Sequence, residues 1–199
     1  MRVIRGRHNI REQDQGCVIT IGNFDGVHRG HQAILKKVKQ VAEDLGCPSL
    51  LICFEPQPKE FFEAFQAPAR LTRFREKVGQ LMLAGLDRLL CLQFNAETRD
   101  MSVQGFIDLL VKDLKVKALF VGDDFKFGAD RKGDYPALAA AGEAFGFTVG
   151  NFSTLTYDSE RISSTRIRGC LAAGEIHQAE ALLGRPYAMV GVNVIAAES

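Results

Sequence analysis

Two histidines stand three residues apart in a glycine-rich stretch of this 199-residue chain. His28 and His31 lie in GNFDGVHRGH, between the apolar run CVITI and a segment of helical periodicity. The first residues of a helix offer free backbone N–H groups and the positive end of the helix dipole, which attract phosphate. Imidazoles at this spacing can both point at one ligand and donate hydrogen bonds to its oxygens. The stretch therefore predicts a phosphate site where the histidines stabilise charge as a phosphoryl group is attacked.

Other residues of the same loop support this prediction. Gly26 and Gly30 carry no Cβ, so they let the main chain approach an anion closely. Asp25 is expected to cap the turn or to orient a histidine. Two other interpretations stay open. H-x-x-H is also a spacing of metal ligands, although no third ligand is evident nearby. Both histidines are also compatible with ordinary surface positions.

A second stretch, RISSTRIRG, combines helix-capping residues with arginines. Arg166 and Arg168 fall in the first turn of a helix that begins at the capping residues, where the helix dipole disfavours cations. An anionic ligand at the helix start would remove this conflict; the alternative is that Asp158 and Glu160 balance the arginines on a solvated surface. Three residues are suitable N-caps for this helix: Ser163, Ser164 and Thr165.

Two more loops follow apolar runs. VGDDFKFG places Asp123 and Asp124 at the end of a predicted strand, followed by Phe125 and Phe127. The two rings can pack on a flat ligand, and a carboxylate can accept hydrogen bonds from it or help order a metal-bound water. Core packing is the alternative for both phenylalanines. The loop FEPQP is stiffened by its two prolines, and a simple rigid turn is its alternative role.

The remaining sequence predicts the scaffold that positions these loops. Five short apolar runs have the length and near-continuous hydrophobicity of strands buried on both faces: residues 17–21, 49–54, 88–93, 117–122 and 146–152. Amphipathic segments of helical periodicity alternate with them. This alternation predicts a doubly wound α/β domain with a parallel sheet, whose ligands bind beyond the carboxyl ends of the strands. The four loops are therefore expected at one end of the sheet.

Composition and charge exclude several classes of function. Apolar residues make up 46% and charged residues 25% of the chain, as in ordinary globular proteins, so disorder is not expected. A formal net charge of +1 argues against non-specific binding to nucleic acid. We find no signal peptide and no apolar stretch of ~20 residues, so we expect a cytoplasmic protein without a membrane partner. The five cysteines are widely spaced and odd in number, which predicts free thiols in the core.

The C-terminal part of the sequence predicts a domain boundary. A short helical stretch, EIHQAEALLG, is followed by Gly184, Arg185 and Pro186, which have the composition of a linker. We expect one domain over residues 1–183, and a linker with the β-like start of an absent second module over residues 184–199. A terminal strand that docks on the α/β domain is the alternative.

Four motifs of the chain, in order, resemble those of one enzyme family. H-x-G-H after a first strand resembles the signature of the Rossmann-like nucleotidylyltransferases. The chain also resembles the FMN adenylyltransferase module of the bacterial bifunctional riboflavin kinase/FAD synthetases. This resemblance is carried by GNFDGVHRGH, FEPQP, VGDDFKFG and RISSTRIR, and it extends from about residue 15 to Tyr187. The resemblance implies a Rossmann-like fold and transfer of AMP from ATP to FMN, which yields FAD and pyrophosphate, with Mg²⁺ accompanying ATP.

The resemblance also implies roles for particular residues. The implied catalytic residues are His28, His31, Ser164 and Arg161. The implied ATP-binding residues are Gly22, Asn23, Phe24, Asp25, Gly26, His28, Gly30, His31, Ser163, Ser164, Thr165, Arg166 and Arg168. The implied FMN-binding residues are Phe54, Pro56, Pro58, Asp124, Phe125, Phe127 and Arg161. Some relatives have asparagine where this chain has Asp124, and no residue is implied as a direct ligand of the metal.

Three other functions remain open at the level of sequence. They are a nucleotidylyltransferase of the same fold with another acceptor, a flavin- or nucleotide-binding module without catalysis, and a metal-dependent hydrolase. Flavin as the acceptor is implied by the resemblance alone. Only about a dozen residues follow Gly184, where the bifunctional relatives carry a riboflavin kinase module, so kinase activity is not expected. The sequence does not predict an oligomeric state.

Overall fold

A computed structural model describes residues 1–122, 124–152 and 155–188. In this part of the chain, six strands form one sheet in the order β1-β4-β3-β2-β5-β6, and every neighbouring pair is parallel. The strands are β1 (Arg2–Arg5), β2 (Val18–Ile21), β3 (Ser49–Glu55), β4 (Arg88–Gln93), β5 (Ala118–Gly122) and β6 (Thr148–Phe152). A separate antiparallel hairpin consists of β7 (Thr156–Tyr157) and β8 (Glu160–Arg161).

Helices fill the connections between the strands. They are α1 (Arg29–Asp44), α2 (Pro58–Glu63), α3 (Phe74–Leu83), α4 (Ala96–Arg99), α5 (Val103–Asp108), α6 (Tyr135–Phe145), α7 (Ser164–Ala172) and α8 (Ile176–Leu183). Helix α5 continues into a π-helical segment, Leu109–Asp113. The N-cap of helix α6 is Asp134, whose carboxylate accepts a hydrogen bond from the Ala137 N–H at 3.2 Å.

The core lies on both faces of the sheet, because successive side chains of a strand point to opposite sides. On β3, Leu50 and Ile52 pack with residues of α5 and α6 on one face. Leu51 and Cys53 pack with residues of α1 and α3 on the other. All four side chains are fully buried. Burial of a leucine or isoleucine stabilises a fold by about 1.5–3 kcal/mol, so this sheet is a firm base for its loops.

The direction in which the strands are added reverses at β2. This strand pairs with β3 on one side and with β5 on the other, so a crevice opens beyond the carboxyl ends of β2 and β5. Ligands of open α/β sheets bind at such a point. The histidine loop, residues 22–28, follows β2, and the loop containing Phe125 and Phe127 follows β5. The topology therefore brings two of the predicted functional loops to the same end of the sheet.

The predicted α/β fold with a parallel sheet is confirmed, and the five predicted strands correspond to β2 through β6. Strand β1 was not predicted. Its sequence, RVIR, has only four residues, two of them charged, and of these four only Ile4 is buried. As an edge strand β1 pairs with β4 alone, and charged side chains are common on such edges. Helix α8 forms as predicted, whereas most of the predicted β-like tail, residues 189–199, lies outside the described residues.

The cysteines lie in or next to the core. Cys17, Cys53 and Cys170 are buried, while Cys47 and Cys91 are partly exposed, and all five are free thiols. Burial raises the pKa of the Cys17 thiol to about 12, so this group stays protonated at neutral pH. Within the described ranges, no helix has both the length and the apolar character needed to cross a membrane.

Candidate active site

The histidine loop connects the carboxyl end of β2 to the start of α1. His28 is the N-cap of α1, because its Nδ1 accepts a hydrogen bond from the His31 N–H at 3.3 Å. Since Nδ1 accepts, the proton of the neutral ring is on Nε2. The two imidazoles are stacked with their centroids 3.6 Å apart, and the Phe24 ring stacks on His31 at 4.4 Å. This stack fixes both imidazoles at a helix N-terminus, where an anion is favoured.

The two glycines of the loop have different roles in the structure. Gly26 has a φ of 81°, and a Cβ there would lie 2.8 Å from the Leu71 side chain. Gly26 is not among the residues that line the cleft beside the histidines, and its role in admitting an anion stays a prediction. Gly30 does line this cleft, and a Cβ there would lie 3.1 Å from His28 Nδ1. Gly30 therefore also leaves room for the histidine ring.

Asp25 ties the histidine loop to two other parts of the chain. Its buried carboxylate accepts hydrogen bonds from the Leu71 N–H at 3.0 Å and the Thr72 N–H at 3.1 Å. The same carboxylate forms an ion pair with Arg168 of α7. It accepts no hydrogen bond from a histidine and does not cap the turn, so the predicted role of Asp25 is corrected: it joins the loop to α7 and to the segment before α3.

The start of α7 lies directly against the histidine loop. Ser163 is the N-cap of α7, and its Oγ accepts a hydrogen bond from the Arg166 N–H at 3.1 Å. The hydroxyl of Ser164 donates to the main-chain oxygen of Asp25 at 2.9 Å. Residues 139 positions apart in the chain are thus in contact. Two helix N-termini, those of α1 and α7, open onto the same space.

The two arginines of α7 point to different places. The Arg166 guanidinium donates to the Tyr157 carbonyl at 2.8 Å and pairs with Glu160 at 3.1 Å. It braces the β7–β8 hairpin and does not line the cleft. Arg168 lines the cleft, where its charge is shared with Asp25. The alternative in which Glu160 balances an arginine therefore holds for Arg166, and Arg168 is the arginine of α7 that reaches the predicted site.

A polar cleft of about 810 Å³ lies between the histidine loop and α7. In the described ranges, three of its lining residues have a buried side-chain atom without a hydrogen-bond partner: Asn23 Oδ1, His31 Nδ1 and Gln57 Nε2. A buried polar atom without a partner costs about 1–3 kcal/mol. Such atoms are expected where a bound ligand supplies the missing hydrogen bonds. Their concentration in one cleft indicates a polar ligand.

Most of the predicted ATP residues line this cleft. They are Gly22, Asn23, Phe24, Asp25, His28, Gly30, His31, Ser163, Ser164, Thr165 and Arg168. Three residues predicted for the flavin side, Asp124, Phe125 and Arg161, line it as well, and Asp124 and Arg161 form an exposed ion pair at 3.3 Å. Asp123 lies outside the described residues. Gln57, in the FEPQP loop, was missed because only Phe54 and the prolines of that loop were considered.

An aromatic cavity of about 530 Å³ adjoins the polar cleft. Of the predicted flavin residues, Phe54, Pro58, Phe125 and Phe127 line it, while Pro56, which follows a cis peptide bond, is not among the lining residues. Sequence reasoning missed five apolar lining residues, Phe62, Leu92, Phe94, Met101 and Phe106. Three residues line both spaces and make them continuous, Phe125, Lys126 and Arg131.

The phenylalanines after β5 have both of the roles considered for them. The rings of Phe125 and Phe127 are stacked with their centroids 5.8 Å apart and an interplanar angle of 18°. Phe127 is buried and packs against Phe106 of the core at 4.9 Å, whereas Phe125 is half-buried and faces both cavities. Core packing thus holds Phe127, which in turn supports Phe125 at the cavity wall.

A buried lysine supports the histidine loop from the sheet side. Lys77 of α3 is only 1% exposed, and its Nζ donates to the Asn23 carbonyl at 3.2 Å and to Glu55 at 3.0 Å. Sequence reasoning missed this residue. A signal was present, because Lys77 lies three residues after Phe74 and four before Leu81, on the apolar stripe of a predicted helix where a charge is unusual.

Both imidazoles are neutral at pH 7. Burial lowers the pKa of His28 to about 4; Asp25 opposes this shift and Arg161 adds to it. Burial also holds the pKa of His31 well below its ordinary value, with further lowering by His28 and Lys77. Neutral imidazoles still donate an N–H hydrogen bond, and a bound polyanion would raise both pKa values. The site is therefore ready to stabilise added negative charge.

Lowering the pH from 7 to 5 is expected to reduce the free energy of unfolding by about 2 kcal/mol through His28 alone. The unfolded chain takes up a proton near the ordinary histidine pKa of 6.5, whereas folded His28 resists protonation down to about 4. This stabilisation is thus complete above pH 6.5 and is lost as the pH falls towards 4. Urea unfolding at both pH values should show a smaller loss for His28→Asn, and an unchanged loss for His177→Asn, an exposed histidine. Equal losses in wild type and His28→Asn would contradict the assignment.

The site contains few free carboxylates. In the described part of the chain, no group of three or more His, Cys, Asp or Glu side chains is arranged to hold a metal ion. The oxygens of Asp25 are occupied by main-chain N–H groups and Arg168. Asp124 is the exposed carboxylate at the cleft, shared with Arg161.

Comparison with known proteins places the chain in a family. The family model described as FAD synthetase matches residues 10–166. Bifunctional riboflavin kinase/FMN adenylyltransferases from Pseudomonas fluorescens and Escherichia coli K12 are 50% and 48% identical to it over 195 and 193 residues. Each alignment covers 96% of this chain but 61% and 62% of the relatives, so the chain spans about three fifths of their length.

A solved structure shares the fold. The crystal structure described as a macrolide-efflux protein from Streptococcus pneumoniae superposes with a TM-score of 0.83 at 25% identity, and it covers 94% of this chain and 72% of the other. The match with the family model includes the histidine loop, five of the six parallel strands and the first residues of α7. From this match and from the identity with the curated relatives, we conclude that the chain belongs to the FAD synthetase family.

Proposed function

We propose that this chain is an FMN adenylyltransferase, which transfers AMP from ATP to the phosphate of FMN and releases FAD and pyrophosphate. One observation carries the proposal: a polar cleft with two helix N-termini is continuous with an aromatic cavity of suitable size for a flat ring system. The names of the relatives support the same reaction. The first cavity would take the phosphates and the second the flavin.

The triphosphate of ATP would lie between the histidine loop and the start of α7. Backbone N–H groups at the beginnings of α1 and α7 attract phosphate oxygens. Ser164, Thr165 and Arg168 line the α7 side, where they would hold the departing pyrophosphate. Arg166 would act there only through the hairpin that it braces. A phosphate oxygen of the triphosphate would also accept a hydrogen bond from the unpartnered His31 Nδ1 when the proton of that ring is on Nδ1.

The reaction needs no nucleophile from the protein, because the FMN phosphate itself attacks the α-phosphorus of ATP. Catalysis then depends on alignment and on stabilisation of charge. His28 would donate through Nε2 to an α-phosphate oxygen, since its Nδ1 is occupied by the His31 N–H. His31 is held in the ring stack beside it. Arg161, paired with Asp124 at the cleft wall, would turn to the attacking flavin phosphate.

The residues of the cleft fit a magnesium ion that enters with ATP. Mg²⁺ prefers octahedral oxygen ligands and retains water, so phosphate oxygens and water would be its main ligands. Asp124 would order one such water, because its carboxylate is exposed at the cleft. When bound, the ion would neutralise phosphate charge. Asp25 would not be a ligand, because its oxygens already accept several hydrogen bonds.

The location and the domain division remain part of the proposal. We expect a cytoplasmic enzyme whose partners are the small molecules ATP and FMN, without nucleic acid or membrane. The catalytic module would comprise residues 1–183, followed by a connection over residues 184–199 to a further module. Helix α8 ends at Gly184, which has a left-handed backbone with φ of 72°, as glycines after helices commonly have.

Replacing Phe62 with alanine is expected to raise the KM for FMN by about fivefold to tenfold and to leave the KM for ATP unchanged. Phe62 is 62% exposed on α2 and lines the aromatic cavity, so its ring is available to stack on a flavin. Loss of one aromatic pair costs about 0.5–1.5 kcal/mol. Initial rates at varied FMN measure the effect. The control is Phe145→Ala, which replaces an exposed phenylalanine of α6 that does not line the cavity. An equal rise in the KM for FMN in both variants would contradict the assignment of the cavity to the flavin.

The test of the proposed function is incubation of the purified chain with FMN and MgATP. We expect FAD and pyrophosphate in equal amounts. Pyrophosphate release with another acceptor and not with FMN would identify a different nucleotidylyltransferase. Binding of FMN and ATP without pyrophosphate would identify a non-catalytic module. Loss of activity to a strong zinc chelator in excess Mg²⁺ would favour the metal-dependent hydrolase.

A further inference from the structure

The segment after α8 returns to the back of the histidine loop. Arg185 donates through Nη2 to the Gly26 carbonyl at 2.6 Å and through Nη1 to the Val27 carbonyl at 3.2 Å. Gln32 of α1 donates through Nε2 to the same Val27 carbonyl at 2.8 Å and to the Leu183 carbonyl at 2.9 Å. The loop, α1 and the end of α8 are therefore joined by four hydrogen bonds.

The turn that Arg185 contacts has an uncommon backbone conformation. Gly26 has a φ of 81° and Val27 a φ of 40°. A positive φ is tolerated by glycine but strained for a β-branched residue, at a cost of about 1–3 kcal/mol. Such a conformation persists only when its surroundings hold it in place. Val27 directly precedes His28, so the orientation of this turn determines where the N-cap imidazole is placed.

Arg185 is an unusual choice for a purely structural contact. Its side chain is partly buried, and the two hydrogen bonds above are both to carbonyl oxygens. Burial lowers the pKa of this guanidinium. A buried cation is costly, and a neutral donor such as glutamine would satisfy a carbonyl at lower cost. The guanidinium, however, presents two nitrogens in a rigid fork, one for each of the two successive carbonyls.

We propose that Arg185 is a positioning residue for the adenylyl transfer: it clamps the Gly26 and Val27 carbonyls and thereby holds His28 and His31 in the geometry that the transition state requires. This inference rests on the proposed function and extends the functional unit beyond residue 183. Arg185 touches no reacting atom. Its effect is expected in kcat, because a misplaced imidazole loses its best contacts in the transition state and retains most of those in the ground state.

The experiment compares Arg185→Ala, Arg185→Lys and the control Arg75→Ala, an exposed arginine of α3. We expect Arg185→Ala to lower kcat for FAD formation by roughly 10- to 100-fold, since a displacement of about 1 Å in an active site can cost 100-fold. The KM values for ATP and FMN should change by less than about threefold. Arg185→Lys, which retains the charge and one donor, should recover part of kcat. Arg75→Ala should match the wild type.

The melting temperature and the imidazole NMR signals of the ligand-free protein complete the test. We expect the His28 signals of Arg185→Ala to shift or broaden while most of the molecule stays folded. Should Arg185→Ala unfold, Gln32→Leu removes another donor to the Val27 carbonyl and is expected to shift the same signals. Wild-type kcat with unchanged histidine signals in Arg185→Ala would overturn the proposal, as would a loss explained entirely by the unfolded fraction. If the wild type makes no FAD, the proposed function is wrong. The histidine signals would then still test whether Arg185 holds the two imidazoles in place.

Discussion

Replacing His28 or His31 with alanine is expected to lower kcat for FAD formation by about 100- to 1,000-fold, as removal of one preorganised donor does at other charged transition states. The KM for ATP should rise by less than about tenfold, because most cleft contacts remain. The two stacked rings lie at the N-terminus of α1 and line the cleft, and both imidazoles are neutral. Steady-state rates at varied ATP separate the two effects.

The control for this pair is His177→Ala. His177 is fully exposed on α8, and its replacement should leave kcat unchanged. His28→Ala also removes the N-cap of α1, which costs about 1 kcal/mol, so melting temperatures must accompany the rates. Wild-type turnover in both histidine variants would remove the catalytic assignment.

Asp25→Ala is expected to reduce the free energy of unfolding by about 3–5 kcal/mol, the usual cost of removing one partner from a buried ion pair. The change leaves Arg168 without its carboxylate and deprives the N–H groups of Leu71 and Thr72 of their acceptor. It also frees the histidine loop from α7. Urea unfolding at pH 7 measures the loss.

An exposed aspartate serves as the matched control for this change. Asp44 is exposed at the end of α1, where its carboxylate accepts a hydrogen bond from Gln40 Nε2 at 3.0 Å, so Asp44→Ala should cost less than about 0.5 kcal/mol. A loss below about 1 kcal/mol for Asp25→Ala would show that the buried carboxylate is not the connection between loop and helix that the structure indicates.

The central strands could be predicted because burial on both faces gives a continuous apolar run. Leu50, Leu51 and Ile52 are all fully buried and can be recognised from their residue types alone. Strand β1 lacks this signal. Its stability comes from pairing with β4, a contact 86 residues away in sequence between Arg2 and Arg88, which no local pattern contains.

The candidate site shows the same difference between features that a local sequence pattern predicts and features that depend on contacts between distant residues. The place of His28 and His31 at the start of a helix could be predicted because it depends on spacing within one loop and on the following helical segment. The roles of Asp25 and Arg168 could not, because they depend on an ion pair between residues 143 positions apart. The importance of Gln57 follows only from its burial in the folded chain, whereas the burial of Lys77 is indicated in the sequence by its place on the apolar stripe of its helix.

The most direct test of the account follows the phosphates of ATP. The chain is incubated with FMN and with ATP radiolabelled either on the α-phosphate or on the γ-phosphate. If the histidine loop and α7 hold one triphosphate for attack at its α-phosphorus, the α label appears in FAD and the γ label in pyrophosphate. Release of the γ label as inorganic phosphate, or an α label that never enters FAD, would contradict it.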